Sequence, residues 1–383
     1  MDPQAGGVVE AVRQIGAALV RAGHATEVVT TDPPETPWTA RLPFPVHGTG
    51  PGRGGVYGYA PRLAGFLRAR RDDFDCVLSH GLWQHHGFAA WRAWRGARTP
   101  RFVFPHGMLD PWFKRTYPRK HLKKWLYWPW AEYPLLRSAR AVFFTCEEER
   151  RLARESFWLY RVNETVNPLG IEEPPGDAER QRAAFFEHFP ELRGKRIILF
   201  LGRLVVKKGS DLLVEAFNRL AGRLSDFALV MAGPDDEVDP AFSRGLRASA
   251  VGNASVHWPG MLTGDLKWGA LRAADAFILP SHQENFGLAV VEALACGTPV
   301  LISDKVNIWR EVQEDAAGLI GVDTVDGTAA LLSRWIQLPE AERRATGERA
   351  RQSFLKRYQV DLATAALVEK LRGFGVTNTA VNR

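Results

Sequence analysis

Short apolar runs alternate with amphipathic helical patterns along nearly the whole chain, and this alternation constrains the fold more than any other feature. In the first half we predict strands near five runs rich in Val, Ile, Phe and Leu: Ala25–Thr31, Phe74–His80, Arg101–Pro105, Ala141–Thr145 and Glu164–Pro168. In the second half the predicted strands are Arg196–Gly202, Phe227–Ala232, Ala254–Trp258, Ala276–Pro280 and Pro299–Ser303. Strands that alternate with helices form parallel sheets covered by helices on both faces. The sequence therefore predicts an α/β protein.

Two such series in a chain of 383 residues predict two Rossmann-like, doubly wound domains. A polar, proline-rich stretch, Glu172-Glu173-Pro174-Pro175-Gly176, separates them. We expect a first domain at residues 1–170, a linker at 171–194, a second domain at 195–356, and a C-terminal helix and tail at 357–383. A doubly wound domain normally opens with a strand, yet here the first predicted helix, Val8–Arg21, comes almost at once. A first strand would lie upstream of Met1.

Composition restricts the class of protein. An apolar fraction of 45% and a charged fraction of 24% are those of a folded globular protein. Three widely spaced cysteines, Cys76, Cys146 and Cys296, form neither a metal-ligand pattern nor a disulfide framework, as is typical of the reducing cytosol. No apolar run approaches the roughly 20 residues that a membrane-spanning helix needs. We expect a cytoplasmic protein.

The most specific motif is S-H-Q-E-N-F-G-L-A-V-V-E at residues 281–292, which follows the predicted strand ending at Pro280. It leads into a helix, and a helix N-terminus offers unpaired N–H groups and a positive dipole end that suit a diphosphate. Gly287 lets a ligand approach the backbone closely. Glu284 before the helix and Glu292 within it carry carboxylates that can accept hydrogen bonds from sugar or ribose hydroxyls. The alternative is a capped helix with surface glutamates.

A second motif, F-L-G-R-L-V-V-K-K-G at residues 200–209, places Arg203 and Lys208 in the turn between a buried strand and a helix. Arg offers a planar fork for two phosphate oxygens, and Lys offers a compact charge. Ligands of such sheets bind outside the carboxyl ends of the strands, where this turn lies. The motif predicts a phosphate-binding turn in which Lys207 is the surface lysine; a solvated basic turn is the alternative.

Together these motifs resemble the retaining glycosyltransferases of family 4, the group 1 glycosyl transferases of the GT-B fold. The second half matches through G-R-L-x-x-x-K-G, M-A-G-P, A-D-A-F-I-L-P-S, and E-x-F-G with a second glutamate eight residues on. The first half matches more loosely, through Gly6-Gly7, Gly23-His24, His106-Gly107 and N-P-L-G-I-E at residues 167–172. The resemblance implies two Rossmann-like domains that face each other across a cleft. It also implies a C-terminal helix that returns to the first domain, although Arg357-Tyr358-Gln359 stands where relatives usually carry a tryptophan.

The resemblance also implies roles for the charged residues. Arg203 and Lys208 would grip the donor diphosphate and neutralise the leaving group. Glu292 would hold the ribose hydroxyls, and Glu284 would bind the transferred sugar as a catalytic residue. Relatives retain the anomeric configuration and need no metal because cationic side chains replace it, so we expect neither a metal nor another cofactor.

The remaining matched positions supply backbone groups, space and the second catalytic side chain. Phe286, Gly287 and Leu288 would present backbone N–H groups to the sugar and phosphate. Gly7 would give the diphosphate room from the other domain. His106, at the end of a strand of the first domain, would line the cleft beside the reacting sugar.

Two further groups of residues allow more than one interpretation. The acidic run Asp235-Asp236-Glu237 is a candidate for a metal site, but it lies in a loop without a nearby histidine, which favours a solvated turn. His80 and the pair His85-His86 lie near a strand end and are candidates for contact with the acceptor, although a lone histidine is usually structural.

We define the basic aromatic segment as residues 111–140, which combine many Lys, Arg, Trp and Tyr residues with the single acid Glu132. Cationic stems and amphipathic rings suit the headgroup region of an anionic membrane, where a polyprenyl-linked acceptor would sit. Stacking on single-stranded nucleic acid is disfavoured, and a folded face with buried tryptophans is the structural alternative.

The expected function is retaining transfer of a hexose from a nucleotide-diphosphate sugar to a glycan or lipid-linked acceptor in polysaccharide or glycolipid biosynthesis. The expected location is the cytoplasm or the inner face of the cell membrane. The alternatives are a nucleotide-sugar epimerase of the same fold and a non-catalytic relative that binds sugar nucleotides or membranes.

Overall fold

The chain divides into two units, and the first is discontinuous in sequence. The structure is a computed structural model that describes residues 1–2, 6–39 and 42–377. Unit 1 comprises Met1–Ile171 and the chain from Val360 onward, and unit 2 comprises Glu172–Gln359. Both units contain parallel sheets flanked by helices, which confirms the predicted α/β class.

Unit 1 contains six strands among its described residues, all in parallel pairs. They are β1 (Val28–Thr30), β2 (Val46–Gly48), β3 (Val77–His80), β4 (Arg101–Phe104), β5 (Ala141–Phe144) and β6 (Glu164–Val166). β1 and β2 form a two-stranded sheet, whereas β3, β4, β5 and β6 form a four-stranded sheet in chain order. Every residue of β4 and β5 is buried, so these two strands form the centre of the core.

Helices connect the strands of unit 1. They are α1 (Gly7–Arg21), α2 (Leu63–Ala69), α3 (His85–Ala93), α4 (Trp112–Thr116), α5 (Pro118–Tyr127), α6 (Glu132–Arg137) and α7 (Glu147–Ala153). No strand precedes α1 among the described residues. A cavity of about 460 Å³ lies between α1, β1 and β3.

Unit 2 contains one six-stranded parallel sheet in the order β12-β11-β10-β7-β8-β9. Its strands are β7 (Arg196–Leu201), β8 (Phe227–Ala232), β9 (Val256–Gly260), β10 (Ala274–Leu279), β11 (Val300–Ser303) and β12 (Gly318–Gly321). The strand order reverses between β7 and β10. Sheets of this kind bind ligands outside the carboxyl ends of the strands at that point.

The helices of unit 2 cover its sheet. They are α8 (Ala178–His188), α9 (Ser210–Arg219), α10 (Pro240–Ser249), α11 (Gly264–Ala273), α12 (Leu288–Ala295), α13 (Trp309–Glu314), α14 (Val325–Gln337) and α15 (Glu340–Arg357). The stretch 171–194, which we expected to be a linker, contains α8, and from Glu172 onward it is a folded part of unit 2. Its Phe185 is fully buried, and Gln181 donates a hydrogen bond to Asp265 of α11 (2.8 Å). The prediction missed this helix because its apolar residues do not recur along one helical face.

The final helix, α16 (Val360–Gly373), belongs to unit 1. The backbone N–H of Val360 donates to the carbonyl of Ile171 (3.0 Å). A side chain at Gly170 would place its Cβ 2.4 Å from Val360 Cα, so glycine is required where the two segments cross. This confirms the expected return of the C-terminal helix to the first domain.

The sequence did not predict two of the strands, β2 and β12. The sequence of β12 is only Gly318-Leu319-Ile320-Gly321, which resembles a turn more than a strand. Its pairing with β11 depends on the first glycine, because a Cβ on Gly318 would lie 1.8 Å from the carbonyl oxygen of Val300. β12 therefore forms because Gly318 lets its backbone approach β11 closely, and not because its residues have a high strand propensity.

Candidate active site

The two predicted ligand-binding loops of unit 2 follow β7 and β10, the neighbouring strands at which the sheet order reverses. They touch at Gly209, the residue before α9, which has a positive φ of 64°. A Cβ at this position would lie 2.2 Å from the carbonyl oxygen of Pro280 at the end of β10. Glycine is needed for both the conformation and the contact. This close approach brings the basic turn after β7 to the acidic loop after β10.

The closest charged contact between the loops is an ion pair of Lys208 and Glu284. Lys208 Nζ donates a hydrogen bond to Glu284 Oε2. The side chains are only 21% and 17% exposed, so most of both charges is withdrawn from solvent. Burial alone would raise the pKa of the Glu284 carboxyl, but the charges of Lys208 and Lys207 and a hydrogen bond from the Gly287 N–H lower it below its ordinary value. Glu284 is therefore an ionised acceptor of hydrogen bonds.

Backbone hydrogen bonds fix the position of Glu284 from a second direction. Its N–H donates to the carbonyl of Lys305 (3.0 Å), and its carbonyl accepts from the N–H of Asn307 (2.9 Å). Both partners follow β11, so three adjacent strand ends hold this residue. Such a scaffold fixes the carboxylate to a degree that a free loop cannot.

Helix α12 starts directly beyond this ion pair. Gly287 precedes it with a φ of 71°, and no side chain caps the helix. The first N–H groups of a helix have no partner within it, so those that begin at Leu288 offer donors to an anionic ligand. Phe286 is buried against Tyr358, with ring centroids 5.6 Å apart, and anchors the turn.

Arg203 differs from Lys208 in that its side chain is exposed and forms no hydrogen bond or ion pair with any residue that the structure describes. The turn that carries it is fixed by another close contact, because a Cβ on Gly233 would lie 1.9 Å from the carbonyl oxygen of Gly202. The guanidinium is therefore free to bind a ligand, whereas the backbone beneath it is held.

Glu292 lies in α12, as predicted, and has a partner that sequence reasoning missed. Lys267 of α11 lies 2.6 Å from the Glu292 carboxylate, and the two side chains are 22% and 16% exposed. The lysine lies in an ordinary helical pattern with no motif around it, so nothing in the sequence singled it out.

In unit 1, His106 lies just beyond the carboxyl end of β4 and contacts His80 at the end of β3. His80 Nδ1 and His106 Nε2 are 2.9 Å apart, so one nitrogen donates and the other accepts. Desolvation lowers the pKa of His106 to about 4, and it lowers the pKa of His80 well below the ordinary value. The pair is therefore neutral near pH 7. His106 has a φ of 51°, a strained conformation for a non-glycine residue.

The loop after β3 contains a second strained residue. Trp83 has a φ of 68°, and its N–H donates to Glu132 Oε1 (2.9 Å). Glu132 is buried, and burial raises its pKa to about 7. Lys124 Nζ lies 4.5 Å from the centroid of a Trp83 ring. The sequence identified Glu132 only as the single acid of the basic aromatic segment, because the burial of one residue cannot be predicted from its identity.

The structure places the remaining candidates as follows. Gly7 is the first residue of α1, and Gly6 before it has a φ of 95°. His85 is buried and accepts from the N–H of Ala60 (3.2 Å), whereas His86 donates to the carbonyl of His80 (2.8 Å). Both histidines therefore have hydrogen-bond partners within unit 1.

Two acidic side chains of the loop 235–237 contact neighbouring residues. Asp235 pairs with Arg247 at 2.8 Å, and Asp236 accepts from the N–H of Val238. Throughout the described residues, no three His, Cys, Asp or Glu side chains are placed to hold a metal ion.

The basic aromatic segment has a buried and an exposed part. Trp128 is fully buried, with its ring stacked on Phe157 at 4.1 Å. Several large apolar side chains of α5 and its surroundings are exposed instead: Tyr117, Leu122, Trp125, Leu126, Trp130 and Trp158. Exposed cations lie among them: Lys114, Arg115, Arg119, Lys120 and Lys123. None of the helices in the described ranges is long and apolar enough to cross a bilayer.

Known proteins match both units. The family model of a glycosyl transferase 4-like domain matches residues 6–170, and that of glycosyl transferases group 1 matches residues 181–353. The GDP-mannose-dependent alpha-(1-6)-phosphatidylinositol dimannoside mannosyltransferase of Mycobacterium tuberculosis is 25% identical over 92% of this chain and 90% of its own. Mannosylfructose-phosphate synthase of Agrobacterium fabrum is 29% identical over 64% of this chain, which spans 57% of that relative's length.

Solved structures share the fold. The crystal structure of Anabaena HepE in complex with UDP and glucose matches with a TM-score of 0.76 and 17% identity, covering 96% of both chains. At this identity the match shows a common GT-B fold and nothing finer.

Proposed function

Because the chain belongs to the group 1 glycosyl transferases and is therefore a glycosyltransferase, we propose that it transfers a hexose from a nucleoside-diphosphate sugar to a glycan or lipid-linked acceptor. The observation that carries this proposal is the meeting of the β7 and β10 loops at Gly209 and Pro280. That contact gathers two cations, a carboxylate and a free helix N-terminus at the strand-order reversal of unit 2. The cations and the helix N-terminus suit a diphosphate, and the carboxylate suits the hydroxyls of a sugar.

The charges divide naturally between the two ends of such a donor. Arg203 and the N-terminus of α12 would bind the diphosphate, because both offer donors that no group in the described ranges uses. Glu284 would accept hydrogen bonds from the hydroxyls of the transferred sugar. Lys208 would hold that carboxylate and turn toward the diphosphate when a donor binds. Glu292 would bind the ribose hydroxyls at the other end.

Transfer would proceed by front-face displacement with retained configuration. The bond between the anomeric carbon and the phosphate oxygen breaks, and its electron pair leaves with the nucleoside diphosphate. The acceptor oxygen bonds to the same face of the carbon, and its proton passes to the departing phosphate oxygen. Charge grows on the leaving group, where Arg203 and Lys208 would stabilise it in the transition state. This chemistry uses no metal.

Unit 1 would receive the acceptor. His106, neutral near pH 7 and held by His80, offers a hydrogen-bonding nitrogen at the carboxyl edge of the unit 1 sheet. Gly7 would leave room for the donor diphosphate at the start of α1. The exposed rings and lysines around α5 suit an anionic membrane surface, where a polyprenyl-linked or glycolipid acceptor would be found. We accordingly place the enzyme in the cytoplasm at that surface.

The HepE structure holds UDP and glucose, and the mycobacterial relative is named for GDP-mannose. The test is calorimetric titration with UDP, GDP, ADP and their common sugar conjugates, with and without EDTA. We expect one base to bind at least tenfold more tightly than the others, and EDTA to leave the affinity unchanged. No binding by any nucleotide would reject a donor site.

Turnover separates transfer from the alternatives. In a transferase, nucleoside diphosphate is released rapidly only when an acceptor is present. Conversion of the donor to its epimer without acceptor would indicate an epimerase. Binding without any turnover, over a panel of lipid and glycan acceptors, would indicate a non-catalytic relative.

A further inference from the structure

A basic cavity of about 730 Å³ lies at the amino edge of the four-stranded sheet of unit 1. The residues just before or at the start of β4, β5 and β6 line it, together with the chain after α16. This is the edge opposite to the one that carries His80 and His106. The cavity is therefore separate from the proposed acceptor site.

All the charged side chains that line the cavity are positive. Four arginines line it, Arg95, Arg98, Arg101 and Arg140, and no Asp or Glu is among the lining residues. Arg95, Arg98 and Arg140 are exposed. Arg95 and Arg98 form no hydrogen bond or ion pair with any residue in the described ranges, and Arg140 Nε donates to the carbonyl of Phe374 (3.2 Å). Like charges gathered in a concave surface attract an anion strongly.

Arg101 provides the second, independent observation. It is only 5% exposed, and its Nη2 donates to the carbonyl of Leu135 (2.9 Å) and to Ser138 Oγ (2.7 Å). Its Nη1 is buried and has no hydrogen-bond partner. Burial lowers the pKa of this guanidinium to about 10, with no carboxylate to oppose the shift. A buried cation without a counter-charge is costly, and proteins normally pair it.

We propose that this cavity binds a phosphate group, which supplies the counter-charge that the protein lacks. Arg98 and Arg140 would form charge-assisted hydrogen bonds to the phosphate oxygens, since the guanidinium fork matches their geometry. Arg101, which is buried in the cavity wall, would attract the phosphate through its positive charge. The volume admits a phosphomonoester of sugar size as well as inorganic phosphate, and it leaves an opening toward solvent for the rest of a larger ligand.

Because the donor site also attracts phosphate, the test must separate the two. The thermal midpoint of the full chain is measured against increasing inorganic phosphate, with chloride at matched ionic strength as reference. We expect phosphate to raise the midpoint in the wild-type protein and, through this cavity alone, in the donor-site variant R203A/K208A, which is the background for the variants below. In the double variant R98Q/R140Q the phosphate affinity should fall at least tenfold.

Two further variants exclude general charge effects. The pair R182Q/R223Q removes the same charge from exposed positions of unit 2 and should leave the phosphate affinity unchanged. R101M removes the buried guanidinium and should abolish the response; if it fails to fold, the surface variant still decides the question. An unresponsive wild type, or an R98Q/R140Q variant that responds fully, would overturn the proposal.

The source of the phosphate group is resolved by three probes. Inorganic phosphate and glucose 6-phosphate test soluble ligands, and vesicles of phosphatidylcholine with phosphatidic acid test a lipid headgroup. Tighter binding of glucose 6-phosphate than of phosphate, lost in R98Q/R140Q, assigns the cavity to a phosphorylated metabolite. Vesicle binding that depends on the same two arginines assigns it to a lipid. Loss of nucleotide binding in R203A/K208A with this response intact shows that the two sites fail independently.

Discussion

Lys208 and Glu284 are 76 positions apart in the chain, yet they form an ion pair at the carboxyl ends of the neighbouring strands β7 and β10. Each charge compensates the other in a largely buried place. The pair therefore has two consequences: it stabilises the loops in the absence of ligand, and it holds the Glu284 carboxylate in its ionised form, which the proposed contact with a sugar hydroxyl requires. Arg203 is exposed and unpaired among the described residues, so it does not stabilise the loops in this way.

The first prediction separates these two cations. Lys208→Ala should lower nucleotide affinity at least tenfold and also destabilise the protein by about 2–4 kcal/mol, because Glu284 is left as a buried charge without a partner. Arg203→Ala should lower the affinity similarly and leave the thermal midpoint unchanged. Calorimetric titration and thermal unfolding measure the two effects. The double variant K208A/E284Q should recover stability but not affinity; a midpoint that stays low would contradict the ion-pair argument.

A second prediction concerns the contact that joins the loops. Gly209→Ala should lower the thermal midpoint by several degrees and weaken nucleotide binding, because a Cβ would lie 2.2 Å from the Pro280 carbonyl oxygen at a φ of 64°. Gly222→Ala is the matched control in the same unit, since a Cβ there meets nothing within 4 Å. Equal midpoints for the two variants would show that the loops do not depend on this contact.

The buried Glu132 predicts a pH dependence. Its pKa is raised to about 7 in the folded protein, so the folded state keeps a proton that the unfolded state releases near pH 4.5. The stability from this group is complete at low pH and is lost as the pH rises through 7. Glu132→Gln should therefore stabilise the protein at pH 8, by at most about 3 kcal/mol, and have little effect at pH 4.5. Thermal unfolding at the two pH values measures the difference; an equal shift at both would contradict the assignment.

His106 predicts the opposite dependence. Its pKa is lowered to about 4, so its contribution to stability is complete above the ordinary histidine pKa and is lost as the pH falls through 4. His106→Asn should flatten the loss of thermal midpoint between pH 6.5 and 4, because asparagine tolerates the positive φ without titrating. Measuring it in the E132Q background removes the opposing effect of Glu132. If the acceptor role is also right, transfer should fall at least a hundredfold while nucleotide affinity is kept.

A fifth prediction addresses the exposed part of the basic aromatic segment. K120E/K123E should weaken binding to vesicles of phosphatidylcholine and phosphatidylglycerol at least tenfold, because each lysine near an anionic surface contributes about 1 kcal/mol. Lys124 is left in place because it packs over Trp83. R182E/R223E, which changes the charge equally in unit 2, is the control. Sedimentation with vesicles that is undiminished in K120E/K123E would reject a membrane-facing role for α5.

The sequence predicted those site residues that belong to motifs directly after the predicted strands. Arg203, Lys208 and Glu284 could be placed because short apolar runs locate the strands, and parallel strands align their carboxyl ends. What it missed depends on contacts across the fold. Lys267 is an ordinary helical lysine until α11 packs beside α12 and brings it to Glu292.

The same limit applies to burial and to backbone approach. The sequence around Glu132 and Arg101 contains no motif that singles them out. Burial raises the pKa of Glu132, and it leaves one guanidinium nitrogen of Arg101 without a hydrogen-bond partner. The strand β12 and the helix α8 were missed because their local patterns are weak. Gly318 and Gly209 are needed because a Cβ at either position would clash with the carbonyl oxygen of a residue distant in the chain. A local sequence pattern does not reveal such a contact.

The crossing of Gly170 by Val360 has a consequence for biosynthesis. Unit 1 is built from both ends of the described chain, so its last helix leaves the ribosome only after the whole of unit 2. Unit 2 is contiguous and can fold as soon as Gln359 emerges, while unit 1 waits with the groove for α16 open against α1. The second half of the protein is therefore completed first. A ribosome that stops before residue 360 yields a finished unit 2 attached to an unfinished unit 1.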